Sequence, residues 1–456
     1  SELAARCLII LFQQLVELAR LAIESGDEEL LRRVSEWLEE VIKDMRRVVE
    51  QALREGNSEL AARILIILFQ QLVELARLAI ESGDEELLRR VSEWLEEVIK
   101  DMRRVVEQAL REGNSELAAR ILIILFQQLV ELARLAIESG DEELLRRVSE
   151  WLEEVIKDMR RVVEQALREG NSELAARILI ILFQQLVELA RLAIESGDEE
   201  LLRRVSEWLE EVIKDMRRVV EQALREGNSE LAARILIILF QQLVELARLA
   251  IESGDEELLR RVSEWLEEVI KDMRRVVEQA LREGNSELAA RILIILFQQL
   301  VELARLAIES GDEELLRRVS EWLEEVIKDM RRVVEQALRE GNSELAARIL
   351  IILFQQLVEL ARLAIESGDE ELLRRVSEWL EEVIKDMRRV VEQALREGNS
   401  ELACRILIIL FQQLVELARL AIESGDEELL RRVSEWLEEV IKDMRRVVEQ
   451  ALREGN

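Results

Sequence analysis

The first 24 residues place polar side chains with the period of an α-helix. At 100° per residue, their charged residues and one glutamine fall within a stripe about 60° wide. This polar stripe consists of Glu2, Arg6, Gln13, Glu17, Arg20 and Glu24. The other positions between Glu2 and Glu24 are apolar, apart from Gln14 beside the stripe. The pattern predicts a helix, here named helix A, from about Ser1 to Glu24 that is buried on three sides.

The next segment, residues 28–55, has a wider polar surface. By the same construction its apolar residues cover a little under half of the circumference, and charged residues fill the rest. The apolar set is Leu30, Leu31, Val34, Trp37, Leu38, Val41, Ile42, Met45, Val48, Val49, Ala52 and Leu53. This pattern predicts helix B, from about Glu28 to Glu55, buried on one broad face.

Two short breaks, residues 25–27 and 56–58, separate the helices, and the chain contains no proline. Gly26 and Gly56 suit the left-handed position that follows a helix C-terminus. The candidate N-caps are Asp27 for helix B, and Asn57 or Ser58 for the helix that follows. Because such short connections join antiparallel neighbours, each A–B pair is predicted to form a helical hairpin.

The chain repeats this 57-residue unit eight times over its 456 residues. The copies are residues 1–57, 58–114, 115–171, 172–228, 229–285, 286–342, 343–399 and 400–456. Only two residues depart from the consensus: Cys7, where the other copies have isoleucine, and Cys404, where they have alanine. Natural repeats diverge at unconstrained surface positions, so this identity indicates a designed chain. Nearest-neighbour stacking of the copies predicts one continuous domain over residues 1–456.

The difference in burial predicts an all-α fold with two layers. Helices A, buried on three sides, form an inner layer in contact with one another, and helices B form an outer layer. Gln14 is expected to be partly buried between adjacent A helices and to hydrogen-bond to the neighbouring copy, since an unpaired buried amide is costly. Solenoids normally carry polar terminal repeats, but the first and last copies keep every core position here. An open array would expose two large apolar faces. We therefore predict a closed α-solenoid ring of eight helix-turn-helix repeats, with the polar stripe of every copy lining its opening.

The whole chain resembles the de novo designed circular tandem repeat proteins, or α-toroids. The resemblance rests on the identical helical hairpins, the Gly-Asp and Gly-Asn turns and the missing caps. It implies a single-chain ring of two concentric helix layers, built as a scaffold without natural biochemical activity.

Composition narrows the possible partners. The formal net charge of −32 repels nucleic acid and anionic membranes, and favours a soluble monomer that requires no partner. The longest uncharged run, residues 64–73, is too short to span a bilayer, and we expect no secretory leader. We expect no natural localisation beyond the cytosol of an expression host.

Little in the sequence supports catalysis. Histidine and tyrosine are absent, and each glycine stands alone in a turn, so no phosphate loop exists. The ring of Glu17 equivalents is a candidate cation site, but Arg20 is expected to neutralise it. Glu36, Glu39 and Glu40 are expected to form a solvated face with pairs such as Glu39–Lys43 and Glu29–Arg33. We therefore expect no enzyme activity, no cofactor and no metal.

The cysteines lie on opposite flanks of helix A, since positions 5 and 7 are about 200° apart. In a closed ring, Cys404 of the last copy would face Cys7 of the first, which predicts a disulfide across the seam. Two alternatives stay open: the thiols are handles for labelling, or the bond joins two chains of a split ring. The alternatives to a self-closing scaffold are an arc or link of a larger assembly, and a binding module that uses the central opening.

Overall fold

The computed structural model describes residues 1–455, which form sixteen α-helices in eight pairs. The A helices are α1 (Glu2–Ser25), α3 (Ser58–Ser82), α5 (Ser115–Ser139), α7 (Ser172–Ser196), α9 (Ser229–Ser253), α11 (Ser286–Ser310), α13 (Ser343–Ser367) and α15 (Ser400–Ser424). The B helices are α2 (Glu28–Arg54), α4 (Glu85–Arg111), α6 (Glu142–Arg168), α8 (Glu199–Arg225), α10 (Glu256–Arg282), α12 (Glu313–Arg339), α14 (Glu370–Arg396) and α16 (Glu427–Arg453). The predicted helices are confirmed, with ends within one residue of those expected.

Side-chain caps start helix B of the first copy and helix A of the second. The Asp27 carboxylate accepts a hydrogen bond from the Leu30 amide at 3.1 Å, as predicted. Asn57 does the same for the Leu60 amide at 3.1 Å, which makes asparagine the cap at the second break. Ser58 has another role: its hydroxyl donates to Glu112 at the far end of the same hairpin, at 3.1 Å. This bond ties the start of helix A to the end of helix B.

The first turn needs glycine because Gly26 has φ of 72°, where a side chain is strained. The Asp27 amide donates back to the Ala22 carbonyl at 3.0 Å and the Gly26 amide donates to Ile23 at 3.1 Å. This Schellman pattern satisfies carbonyls at the end of α1 and reverses the chain within two residues.

The described residues group into two compact units, Ser1–Gln222 and the residues from Ala223 onward. The boundary falls inside α8 and not at a break between copies. The single continuous domain over residues 1–456 stays a prediction.

Within each unit, the helices pack in two layers. Helix α5, for example, contacts its own B helix α6, the B helix α4 of the preceding copy and the neighbouring A helices α3 and α7, whereas neighbouring B helices such as α2 and α4 approach at few positions. The second copy shows the consequence. Helix α3 buries residues all round except along its polar stripe, while α4 buries one face that includes the predicted apolar positions Val91, Trp94 and Met102. The all-helical repeat solenoid is confirmed; ring closure with the A layer inside stays a prediction.

Candidate functional site

The polar stripe of helix A lies on the solvent-facing side, where its charges neutralise one another. Arg20 pairs with Glu17 and, at 3.2 Å, with Glu24 on the same helix. Glu2 pairs with Arg63, the Arg6 equivalent of the next copy, at 2.8 Å. Gln13 is exposed beside them. The stripe is thus a line of ion pairs within and between copies, and its position around an opening stays a prediction.

The candidate cation site at Glu17 is occupied by arginine. The hydrogen bond from Arg20 lowers the pKa of the Glu17 carboxyl, which keeps the carboxylate ionised and paired. Within residues 1–455, no group of three or more cysteine, aspartate or glutamate side chains is arranged to hold a metal ion.

Gln14 lies at the margin of the A–A contact, and its environment differs from the expected one. Its equivalent Gln71 is half-buried between copies, while Gln14 itself is exposed. A half-buried amide was expected to bond to the neighbouring copy, but neither side chain makes a hydrogen bond in the described part of the chain. The amides remain accessible enough for water to satisfy them.

The ion pairs of helix B differ in part from the expected ones. Glu29 pairs with Arg32 and not with Arg33. Arg33 instead lies over the ring of Trp37, with 5.2 Å between its guanidinium carbon and the ring centroid. In later copies the equivalent arginine also reaches the preceding copy, as Arg147 does with Glu96 at 2.6 Å. The expectation for Glu29–Arg33 was wrong because Arg32 binds Glu29 and Arg33 lies over Trp37 instead.

A buried ion pair between copies is a feature that helical periodicity did not predict. The Arg46 Nε donates to Asp101 Oδ2 of the next copy at 2.7 Å, and Nη2 to Oδ1 at 3.3 Å. A third bond, from Nη1 to Glu97 at 3.2 Å, completes the arginine's contacts. Asp101 is buried, and the hydrogen bond from Arg46 to Asp101 raises the pKa of Arg46, which keeps the guanidinium charged. The same pair recurs as Arg103–Asp158, Arg160–Asp215, Arg274–Asp329, Arg331–Asp386 and Arg388–Asp443.

The two ends of the array expose the surfaces that internal copies bury. Leu11 is 46% exposed, whereas its equivalent Leu68 in the second copy is fully buried. The N-terminal face, on α1 and α2, exposes Leu3, Ile10, Leu11, Leu21 and Trp37. The C-terminal face, on α15 and α16, exposes Ile408, Val415, Ile422, Ile441, Val448 and Leu452. Apolar surfaces of this extent mark an interaction site. These two end faces are the candidate functional site.

The cysteines lie on these faces, on opposite flanks of the A helices. Position 7 is buried in the second copy as Ile64 but exposed in the first as Cys7, so this flank faces the preceding copy. Position 5 is buried in the first copy as Ala5 but exposed in the last as Cys404, so this flank faces the following copy. The predicted flanks are therefore correct. Both thiols are free and exposed, and the predicted disulfide is not present in this structure.

Tryptophan accessibility reports on the N-terminal face. Trp37 is 37% exposed, and its equivalents, such as Trp94 at 5%, are buried between copies. We expect acrylamide to quench about one tryptophan in eight when the ends are free. When a neighbour covers Trp37, the accessible fraction should fall to zero. The Trp37→Phe variant is the control, because it should lose the quenchable fraction in either case.

The geometry is that of an all-helical repeat protein whose first and last copies expose apolar faces. No helix in residues 1–455 is long and apolar enough to cross a membrane. No protein-family model and no curated protein matches the chain.

Part of the chain is similar to solved structures of designed helical repeat proteins. The chain is 34% identical to the de novo designed helical repeat protein DHR64, over 48% of this chain and 98% of that one, with a TM-score of 0.43. It is 30% identical to the DHF119 filament protein, over 49% of this chain and 98% of that one, with a TM-score of 0.44. These similar structures cover about half of this chain.

Proposed function

We propose that the chain is a designed structural scaffold without natural biochemical activity, and that its C-terminal face joins its N-terminal face to close a ring. The observation that carries the proposal is the matching of the two end faces. Each is one half of the interface that the array already uses between its copies, as the exposure of Leu11 and the burial of Leu68 illustrate. No cofactor or partner is required.

Closure would remove both apolar faces from water. Burying such surface contributes about 25 cal/mol per Å² before the costs of ordering, so the join is favourable if the curvature permits it. Because the ends belong to one chain, their effective concentration exceeds that of a second chain in dilute solution. In the closed form, the polar stripe Glu2, Arg6, Gln13, Glu17, Arg20 and Glu24 and its equivalents would line the opening.

A disulfide between Cys7 and Cys404 would fix the seam. Cys404 lies on the flank that faces a following copy and Cys7 on the flank that faces a preceding one. These are the two sides of an eighth-to-first contact. Oxidation of the free thiols would then covalently close the ring.

A multi-chain assembly is the second candidate, because both end faces are uncovered in this structure. In that arrangement the chain is a link or an arc, and the same thiols would join different chains.

Mass and mobility separate the two candidates. We expect light scattering to give 53.1 kDa at both low and high protein concentration for the ring. After mild oxidation, a non-reducing gel should show a faster-migrating monomer. The Cys7→Ser variant should lose this band. A mass that rises with concentration, or an oxidised dimer or ladder, would support the multi-chain assembly. Two free thiols after oxidation of the folded protein would contradict the disulfide.

A further inference from the structure

The ends carry unpaired charges as well as apolar surface. Arg445 is exposed and makes no ion pair within residues 1–455, whereas its equivalent Arg388 binds Asp443 at 2.7 Å. At the other end, the Asp44 side chain is 52% exposed and has only Arg47, at 3.6 Å. Its equivalent Asp101 is 6% exposed and held by the preceding copy. The two ends therefore hold separate halves of the buried ion pair.

We infer that Arg445 and Asp44 determine which ends join. Reversing the charge of either residue would prevent the chain from joining its own ends and would direct it to a second chain that carries the complementary change. This inference rests on the proposed joining of the two end faces. Between internal copies the aspartate is buried and receives two hydrogen bonds from one arginine. A mismatched charge at that position would be buried without a partner, which strongly disfavours the contact.

Two other charge pairs at the ends are less decisive. Glu401 would meet Arg6, and Glu449 would meet Arg47, by analogy with Glu2–Arg63 and Glu50–Arg104. In both internal pairs each side chain is between 44% and 65% exposed, so solvent screens the interaction. The buried aspartate is the position where a charge reversal has the largest effect.

Charge-reversed variants test this inference. In Asp44→Arg, both halves of the pair are positive, and in Arg445→Asp both are negative. We expect each variant alone to join its own ends on the order of 100-fold less well than the unmodified chain. In an equimolar mixture, Arg445 of the Asp44→Arg variant can pair with Asp44 of the Arg445→Asp variant. The introduced arginine of the first variant can pair with the introduced aspartate of the second. The mixture should therefore yield species that contain both variants in equal numbers, at twice the mass of one chain or more.

Restoration and matched controls complete the experiment. The double variant, Asp44→Arg with Arg445→Asp, should join its own ends as the unmodified chain does. Glu36→Arg and Lys442→Asp make the same changes of charge on exposed side chains and should leave joining unaltered. Circular dichroism should show equal helicity for all variants. Trp37 quenching and light scattering measure the joining.

The outcomes distinguish the two proposals. If the unmodified chain never covers Trp37 at any concentration, the proposed function is wrong. If it does, but each single variant joins its own ends equally well, or the mixture contains no mixed species, the charge selection is wrong. Mixed species together with restoration in the double variant would support it.

Discussion

Replacing Leu68 by lysine should lower the free energy of unfolding by about 3–5 kcal/mol, whereas the same change at Leu11 should alter it by less than about 0.5 kcal/mol while the ends are free. The two residues are equivalent positions of successive copies. Leu68 has no exposed surface, and a lysine there would bury an unpaired ammonium group. Leu11 is 46% exposed at the free end, so its lysine would remain hydrated. Urea unfolding followed by circular dichroism measures both.

The same pair of variants separates folding from joining. Leu11→Lys should keep its helicity yet leave Trp37 open to acrylamide, because a charge in the centre of the N-terminal face blocks a neighbour. Leu11→Met retains an apolar side chain of similar volume and is the control that should still join. Equal destabilisation by lysine at positions 11 and 68 would mean that a neighbour already covers the N-terminal face. No destabilisation at either would contradict the packing described for α3.

Local structure was predictable because each element depends on few neighbouring residues. A single glycine with φ of 72° and an aspartate cap three residues before Leu30 determine where one helix ends and the next begins. The burial of α3 on three sides followed from the width of its polar stripe. Curvature depends on small rotations between successive copies that no single residue encodes, which is why ring closure could be inferred only from the missing caps.

The interactions between copies were harder to predict. Asp44 follows Val41 by three residues and precedes Val48 by four, which places it at the margin of an apolar face. That signal was available, but the equivalent Asp101 binds Arg46 of the preceding copy, which lies 55 residues away in sequence. Helical periodicity relates only residues on one helix, so it favoured Glu29–Arg33. It could not predict that arginines equivalent to Arg33 contact another copy, as Arg147 does. The cysteine flanks were predictable because they depend only on the angle between positions 5 and 7.

Truncating the phenylalanines at position 12 of the repeat tests whether the C-terminal face is covered. Phe126 is 1% exposed in an internal copy, and truncation to alanine should cost about 3–5 kcal/mol. Phe411, its equivalent in the last copy, is only half-buried, because no following copy covers it. Phe411→Ala should therefore cost clearly less when the ends are free. Joining supplies the missing neighbour, so after oxidation of Cys404 with Cys7 the costs at positions 126 and 411 should become equal. Urea titrations of the oxidised and reduced proteins would show this change, and an unchanged difference on oxidation would contradict closure by the C-terminal face.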